Sequence, residues 1–189
     1  FNIGYNPSFK LAGTDEPRAI IPYPGEEYYT ARRLSAAGDT DGKKYLYPPK
    51  VIAGGKRAFN VPALTGGAEI VYITEGQLDA ISIEQAGGAA VGCNEPKQML
   101  DALEKAGDKV TAKYFIIVPD RDENGAGADK AWKMWNWLND AKLAVFTQEL
   151  PDGVHDANDG LKRPGLLQSW IASTPKIIEA EKAKAQEAQ

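Results

Sequence analysis

Two short apolar runs, at 70–74 and 114–118, constrain the fold of this chain most. Both are rich in β-branched and aromatic residues and carry no charge, which is typical of strands buried on both faces. Each run ends abruptly in acids, and together these are Glu75, Asp79, Asp120 and Asp122. Because open α/β sheets build their sites at the carboxyl ends of strands, we expect these carboxylates to converge on one sheet edge.

Carboxylates gathered at one edge repel each other unless they share a cation. Oxygen-rich clusters suit Mg²⁺ or Mn²⁺, so the pattern predicts a divalent metal site. A plainer interpretation stays open beside it, in which the acids only cap helices and keep the strand ends soluble.

From Gly66 onward, strand patterns alternate with helix patterns. Such alternation predicts βαβ units and therefore an α/β fold with a mostly parallel sheet flanked by helices. The predicted strands are 69–74, 89–93, 114–118 and 143–149. The predicted helices are 77–86, 96–106 and 128–142, and a frayed helix or linker is expected over 176–189. In the third helix we expect the apolar side chains to pack in the core, namely Trp132, Met134, Trp135, Trp137 and Leu138.

The first third of the chain predicts a smaller, irregular α+β subdomain. Residues 1–29 are rich in turn-forming proline and glycine, and residues 35–44 have the composition of a hairpin loop. Short extended pieces are predicted at 19–23, 27–34 and 44–50, and a connector at 56–64.

Charge is unevenly spread over the chain, whose formal net charge is −4. Residues 30–60 contain seven basic residues and two acids, so this segment carries +5 and the remainder −9. A basic region facing an acidic metal cluster suits the handling of a polyanion with divalent cations, although a solvated basic surface is the plainer alternative. Tyrosines interleaved with the cations either stack bases or only pack the strands, and both interpretations stay open.

Several classes of protein are disfavoured by what the sequence lacks. No apolar segment approaches the roughly 20 residues that span a membrane, and no signal-peptide pattern is present. Cys93 is the only cysteine and His155 the only histidine, so a disulfide or a zinc site within this chain is not expected. A reducing, cytoplasmic setting is the default. Since the chain starts at Phe1, we expect an excised piece with flanking domains missing.

The acidic motifs resemble the Toprim domain, which bacterial-type primases share with type IA and II topoisomerases and several nucleases. The matching motifs are E-G-x-x-D, formed by Glu75, Gly76 and Asp79, and D-x-D, formed by Asp120 and Asp122. A third segment, HDANDG at 155–160, resembles the acidic segment that follows the fourth strand in primases. Its Asp156 matches the first acid there, whereas Asn158 stands where the cellular primase usually has a second aspartate.

The preceding segment narrows the resemblance to primases. Residues 43–64 look like the stretch just before Toprim in the bacterial primase RNA-polymerase domain, and residues 20–34 look like its strand pair with an arginine-bearing strand. The asparagine-serine pair of that family is absent, which favours a phage- or plasmid-type primase over the cellular enzyme. The resemblance covers roughly 20–163 and implies a basic subdomain at 1–66, Toprim at 67–163, and a C-terminal helix and linker at 164–189.

The resemblance also implies a reaction, template-directed synthesis of RNA primers by nucleotidyl transfer with Mg²⁺ or Mn²⁺. It assigns metal binding to Glu75, Asp120, Asp122 and Asp156. Glu75, Asp120 and Asp122 are the catalytic residues, with Glu75 as a further ligand or the acid/base group, and Gly76 and Asp79 support them. Gly76 is expected where the backbone turns sharply from strand to helix. Contacts to nucleic acid or nucleotide are expected from Arg32, Arg33, Lys43, Lys44, Tyr45 and Lys50.

The partners implied by the resemblance are single-stranded DNA, nucleoside triphosphates and a replicative helicase, fused or separate, with a zinc-binding module before Phe1. Three alternatives remain. A Toprim-class metal-dependent nuclease would use the same carboxylates but would not need the basic segment. A topoisomerase would need a cleavage tyrosine in a domain outside this chain. A recombination mediator that only grips DNA would not need Glu75 together with every aspartate.

Overall fold

The computed structural model describes residues 1–11, 13–34, 43–121 and 125–187. The described chain divides into two compact units, Phe1–Arg57 and Ala58–Gln189. The hairpin loop expected at 35–44 lies mostly outside the described residues, and so does Asp122. None of the described helices is long and apolar enough to cross a membrane.

The first unit is built on an antiparallel sheet of four strands in chain order. The strands are β1 (Gly4–Leu11), β2 (Thr14–Pro22), β3 (Tyr29–Arg33) and β4 (Tyr45–Leu46), followed by a short helix α1 (Lys50–Ala53). Strand β1 was not expected, because Pro7 and its neighbours predict turns. It forms at the sheet edge, and its pairing with β2 shifts register between Asn6 and Phe9, where a proline costs no ladder hydrogen bond.

The second unit is the predicted α/β layer, and its fold class is confirmed. Its four strands are all parallel, in the order β6-β5-β7-β8. They are β5 (Ile70–Thr74), β6 (Ala89–Gly92), β7 (Tyr114–Ile117) and β8 (Val145–Thr147). The flanking helices are α2 (Gln77–Gln85), α3 (Pro96–Ala106), α4 (Ala126–Asp140), α5 (Ala157–Leu161) and α6 (Leu166–Glu187). A 3-10 turn at Val61–Leu64 lies in the expected connector.

Helix α4 packs on the sheet with a narrower apolar face than its composition suggested. Ala131, Met134 and Leu138 are buried at helical spacing. Trp132 and Trp137, by contrast, are 67% and 53% exposed, so the expectation that they pack in the core is wrong. They lie outside the i, i+3, i+7 stripe that faces the sheet, and the helix cannot bury both faces against one layer.

The C-terminal helix packs through its first part, and after Ile178 it is mostly exposed. Helix α6 continues through Pro175 to Glu187, and Ile178 is buried. The Thr174 hydroxyl lies 2.6 Å from the Tyr72 hydroxyl, which fixes α6 against the central strand β5. The buried residues of α6 follow a helical spacing and are Leu167, Trp170, Thr174 and Ile178.

Candidate active site

Three of the predicted acids lie at the carboxyl edge of the parallel sheet. Glu75 directly follows β5, Asp120 follows the neighbouring strand β7, and Asp156 lies in the segment after β8. Adjacent parallel strands bring their carboxyl ends to one edge, so the topology places these acids where α/β sheets form sites. Asp122, the second aspartate of D-x-D, lies outside the described residues.

The Glu75 side chain is largely enclosed, with only 15% of it exposed. Its Oε2 accepts a hydrogen bond from the Lys130 ammonium on α4. Its Oε1 is buried and has no hydrogen-bond partner within the described part of the chain. A buried carboxylate oxygen of this kind is costly unless a cation, a proton donor or a substrate group meets it. Glu75 therefore stays the predicted metal ligand or acid/base group.

Gly76 and Asp79 support the strand-to-helix junction by a different contact from the one expected. Gly76 has extended backbone angles that any residue adopts. A Cβ there would lie 2.8 Å from Asp79 Oδ2, so the missing side chain makes room for that carboxylate. Asp79 Oδ1 accepts from the Asn158 backbone N–H at 3.1 Å, which ties the start of α2 to the start of α5.

The Asp120 loop is held by its neighbours in sequence and in space. A Cβ at Gly127 would lie 2.1 Å from the Asp120 carbonyl oxygen, so α4 approaches this backbone as closely as glycine permits. The Arg121 backbone N–H donates to the His155 carbonyl at 2.8 Å. Its guanidinium donates to the Leu150 carbonyl at 2.7 Å. These contacts bring Asp120 beside the segment that carries Asp156.

Asp156 itself begins α5, and its Oδ1 accepts from the Asp159 backbone N–H at 2.6 Å. This is an N-cap, which satisfies one of the unpaired amides at a helix start. Asp79 satisfies the neighbouring amide, that of Asn158. The plainer interpretation of these two acids as helix caps therefore describes real contacts, although one Asp156 oxygen can still bind a cation.

Two adjoining clefts open at this edge, and Pro119 lines both. The first cleft is lined by Glu75, Cys93, Asn94, Lys130 and Met134, among others. The second is lined by Asp120, Arg121, Gly125, Glu149 and His155, among others. Glu75 and Asp120 thus each line a cleft that contains both polar and apolar residues, the usual composition of a small-ligand site.

The donor set suits Mg²⁺ or Mn²⁺ in kind, since it consists of carboxylate oxygens, and the buried Glu75 Oε1 is a further match. Among the described residues, however, no group of three His, Cys, Asp or Glu is close enough to hold an ion. Asp122 lies outside the described residues and is therefore not counted in that statement. The cluster of Glu75, Asp120, Asp122 and Asp156 stays a prediction.

In the first unit, two of the predicted basic residues lie against Tyr45. Arg32 donates to the Tyr45 hydroxyl at 2.9 Å and lies 5.5 Å from the ring centroid. The Lys44 ammonium lies 5.7 Å from the same centroid. Cation and aromatic ring are thus held together, as a site that stacks a base beside a phosphate requires.

The other predicted contacts differ in how accessible they are. Lys43 and Lys50 are exposed. Arg33 is 11% exposed and donates from Nε to Glu16 Oε2 at 2.7 Å, so it is engaged within the sheet. All six basic and aromatic assignments stay predictions.

No sequence pattern predicted the buried Arg18, whose guanidinium connects several parts of this sheet. Its guanidinium donates to the carbonyls of Ala31 at 3.0 Å and Lys43 at 3.1 Å, and it pairs with Glu16. Burial opposes ionisation of Glu16, but hydrogen bonds from the two arginines outweigh it and hold its pKa below the usual 4.5. Arg18 thereby fixes the backbone that presents Lys43.

Comparison with known proteins identifies the class first. Residues 72–161 match a family model described as Toprim-like, and this part of the chain is therefore a Toprim-like domain. The resemblance stated from the acidic motifs is confirmed. No curated protein matches the sequence.

Solved structures then specify the fold of the larger part of the chain. A DnaG primase catalytic domain bound to single-stranded DNA superposes with a TM-score of 0.60 at 19% identity, over 84% of this chain and 51% of that chain. A DNA primase domain from Pseudomonas aeruginosa gives 0.58 at 17%, over 82% and 52%. The Aquifex aeolicus primase, with zinc-binding and RNA polymerase domains, gives 0.62 at 18%, over 92% and 44%. The chain has the fold of primase catalytic domains and spans about half the length of these structures.

Proposed function

We propose that this chain is the catalytic core of a DNA primase that makes short RNA primers from nucleoside triphosphates on single-stranded DNA. The observation that carries the proposal is the placement of Glu75, Asp120 and Asp156 at one sheet edge of a chain with the fold of primase catalytic domains. The basic first unit supports a primase over a nuclease, because a nuclease would not need it.

Primer synthesis joins a 3′-hydroxyl to the α-phosphate of an incoming nucleotide, and negative charge develops on the phosphoryl oxygens. Asp120, Asp122 and Asp156 would hold Mg²⁺ or Mn²⁺, which supplies charge stabilisation to the attacking and leaving oxygens. The buried Oε1 of Glu75 has no hydrogen-bond partner among the described residues. We therefore propose that it contacts the attacking hydroxyl as the acid/base group or serves as a further metal ligand.

The supporting residues keep that geometry fixed. Asp79 and Gly76 hold the β5–α2 junction against α5. Arg121 holds the Asp120 loop against the segment before Asp156. Rigid placement of this kind matters because small displacements of a catalytic group reduce rates steeply.

The first unit is proposed to bind the polyanionic partners. Arg32, Lys44 and Tyr45 form the contact described above, in which a base can stack and a phosphate can be neutralised. Lys43 and Lys50 add exposed charge, and Arg33 contributes from its pair with Glu16. We further propose a phage or plasmid replication protein that acts in the cytoplasm with a fused or separate helicase and a zinc-binding module.

A primer-synthesis assay tests the proposal. The chain is incubated with single-stranded DNA, labelled ribonucleotides and Mg²⁺ or Mn²⁺, and products are resolved by length. Short labelled RNA that requires the template is the expected result. Degradation of the DNA without extension would instead identify a nuclease, and DNA binding with neither reaction would identify a mediator.

The matched variants are Asp120→Ala, in the loop after β7, and Asp140→Ala, at the last residue of α4, and each removes one carboxylate. We expect Asp120→Ala to abolish synthesis while DNA binding survives, because the metal-binding charge is lost but the basic unit is intact. Asp140 is exposed and lies before β8, at the amino end of a strand, so Asp140→Ala is expected to leave synthesis unchanged. Full activity in Asp120→Ala would end the metal proposal.

A further inference from the structure

The ion pair between Lys130 and Glu75 joins residues 55 positions apart and lies inside the candidate site. Resting on the function proposed above, we propose that Lys130 is a positioning residue whose ammonium occupies the Glu75 carboxylate in the metal-free protein. A divalent cation then competes with that ammonium for Glu75.

The burial of the two partners favours this role over an ordinary surface pair. The Glu75 side chain is 15% exposed and Lys130 is 48% exposed, so the carboxylate is the enclosed partner and the lysine reaches it from solvent. An enclosed carboxylate without a cation is strongly unfavourable. The Lys130 ammonium supplies that cation at Oε2, and Glu75 Oε1 keeps no hydrogen-bond partner among the described residues.

The position of Lys130 on α4 adds an independent reason. Lys130 lies three residues after Gly127, so both share one face of the helix. Gly127 contacts the Asp120 backbone, and Lys130 contacts Glu75. The same face of α4 therefore touches both acid-bearing strand ends, and Lys130 also lines the cleft beside Glu75.

Competition follows from charge. An ammonium and a divalent cation on one carboxylate repel each other, so the ion that binds must displace the ammonium or bind against its field. Whatever stabilises the metal-free form weakens the apparent affinity for metal by the same free energy. A lysine that can swing into solvent is suited to this exchange, because its long side chain carries the charge on flexible bonds.

The test measures Mn²⁺ affinity of the full chain by the electron paramagnetic resonance signal of free Mn²⁺. Lys130→Met removes the charge at nearly constant length, and Lys130→Arg keeps it. Lys133→Met makes the same charge change at an exposed lysine of α4 that is not in the lining of the cleft beside Glu75. We expect Lys130→Met to lower the Mn²⁺ dissociation constant by about tenfold, the size of one charge-assisted hydrogen bond. The Mn²⁺ dissociation constants of Lys130→Arg and Lys133→Met should stay within about twofold of that of the unmodified chain. The first variant keeps the charge beside Glu75, and the second removes an exposed charge that solvent screens.

A double-variant cycle separates this role from a structural one. In the Glu75→Gln background the carboxylate charge is gone, so Lys130→Met should no longer tighten Mn²⁺ binding. If the unmodified chain binds Mn²⁺ and Lys130→Met binds it equally or more weakly, this inference alone is overturned. Absence of Mn²⁺ binding by the unmodified chain would overturn it together with the proposed metal site.

Discussion

Gly127→Ala is the sharpest test of how the fold positions Asp120. The added Cβ would lie 2.1 Å from the Asp120 carbonyl oxygen, whereas real contacts of this kind stay above 3.0 Å. The Asp120 backbone must therefore move by about 0.9 Å. Overpacking costs about 1–3 kcal/mol and alanine returns about 1 kcal/mol of helix propensity, so the net loss of stability is at most about 2 kcal/mol.

The effect on the reaction is expected to be larger than the effect on stability. A displacement near 1 Å at a catalytic group lowers rates by about a hundredfold. We expect Gly127→Ala to remain folded in thermal unfolding followed by circular dichroism, while its rate of primer synthesis falls by about that factor.

Gly107→Ala is the control, because it adds the same atom directly after α3, at a residue that lines neither cleft. Gly107 has a φ of +53°, so alanine there costs about 1–2 kcal/mol of backbone strain, but its Cβ meets nothing within 4 Å. The control should lose stability and keep most of its activity. If Gly127→Ala synthesises primers within about threefold of the unmodified rate, the close approach of α4 does not position Asp120 and the reasoning fails.

Two further predictions concern the two units separately. Because the folded pKa of Glu16 lies below 4.5, its pairing with Arg33 stabilises the fold fully above that pH and is lost as pH falls through the folded pKa. Thermal melts from pH 7 to pH 3 should show Glu16→Gln less stable near neutrality and equal to the unmodified chain in acid; a constant difference would contradict the linkage. Thr174→Val should cost about 1–3 kcal/mol, because it removes the hydroxyl that lies 2.6 Å from the buried Tyr72 hydroxyl and donates to the Gln148 side-chain amide oxygen at 2.7 Å. Urea unfolding measures the loss, and Thr174→Ser, which keeps the hydroxyl, should recover most of it.

The sequence by itself determined the sheet and the edge at which the acids lie. Apolar runs at 70–74 and 114–118 form strands because β-branched residues fill both faces of a buried sheet, and the helices between them force parallel pairing. Glu75 follows its strand directly and Asp120 follows β7 after Val118 and Pro119, so their place needed no tertiary information. Local periodicity and local sequence order carry all of this.

Only the tertiary structure decided which groups meet at that edge. The contact of Lys130 with Glu75 and the close approach of Gly127 to Asp120 depend on the direction in which α4 crosses the sheet, which no local pattern encodes. The same packing left Trp132 exposed, although its apolar side chain favoured a place in the core. Side chains distant in sequence become partners only when the layers pack, and the free energy of that packing is shared among many residues.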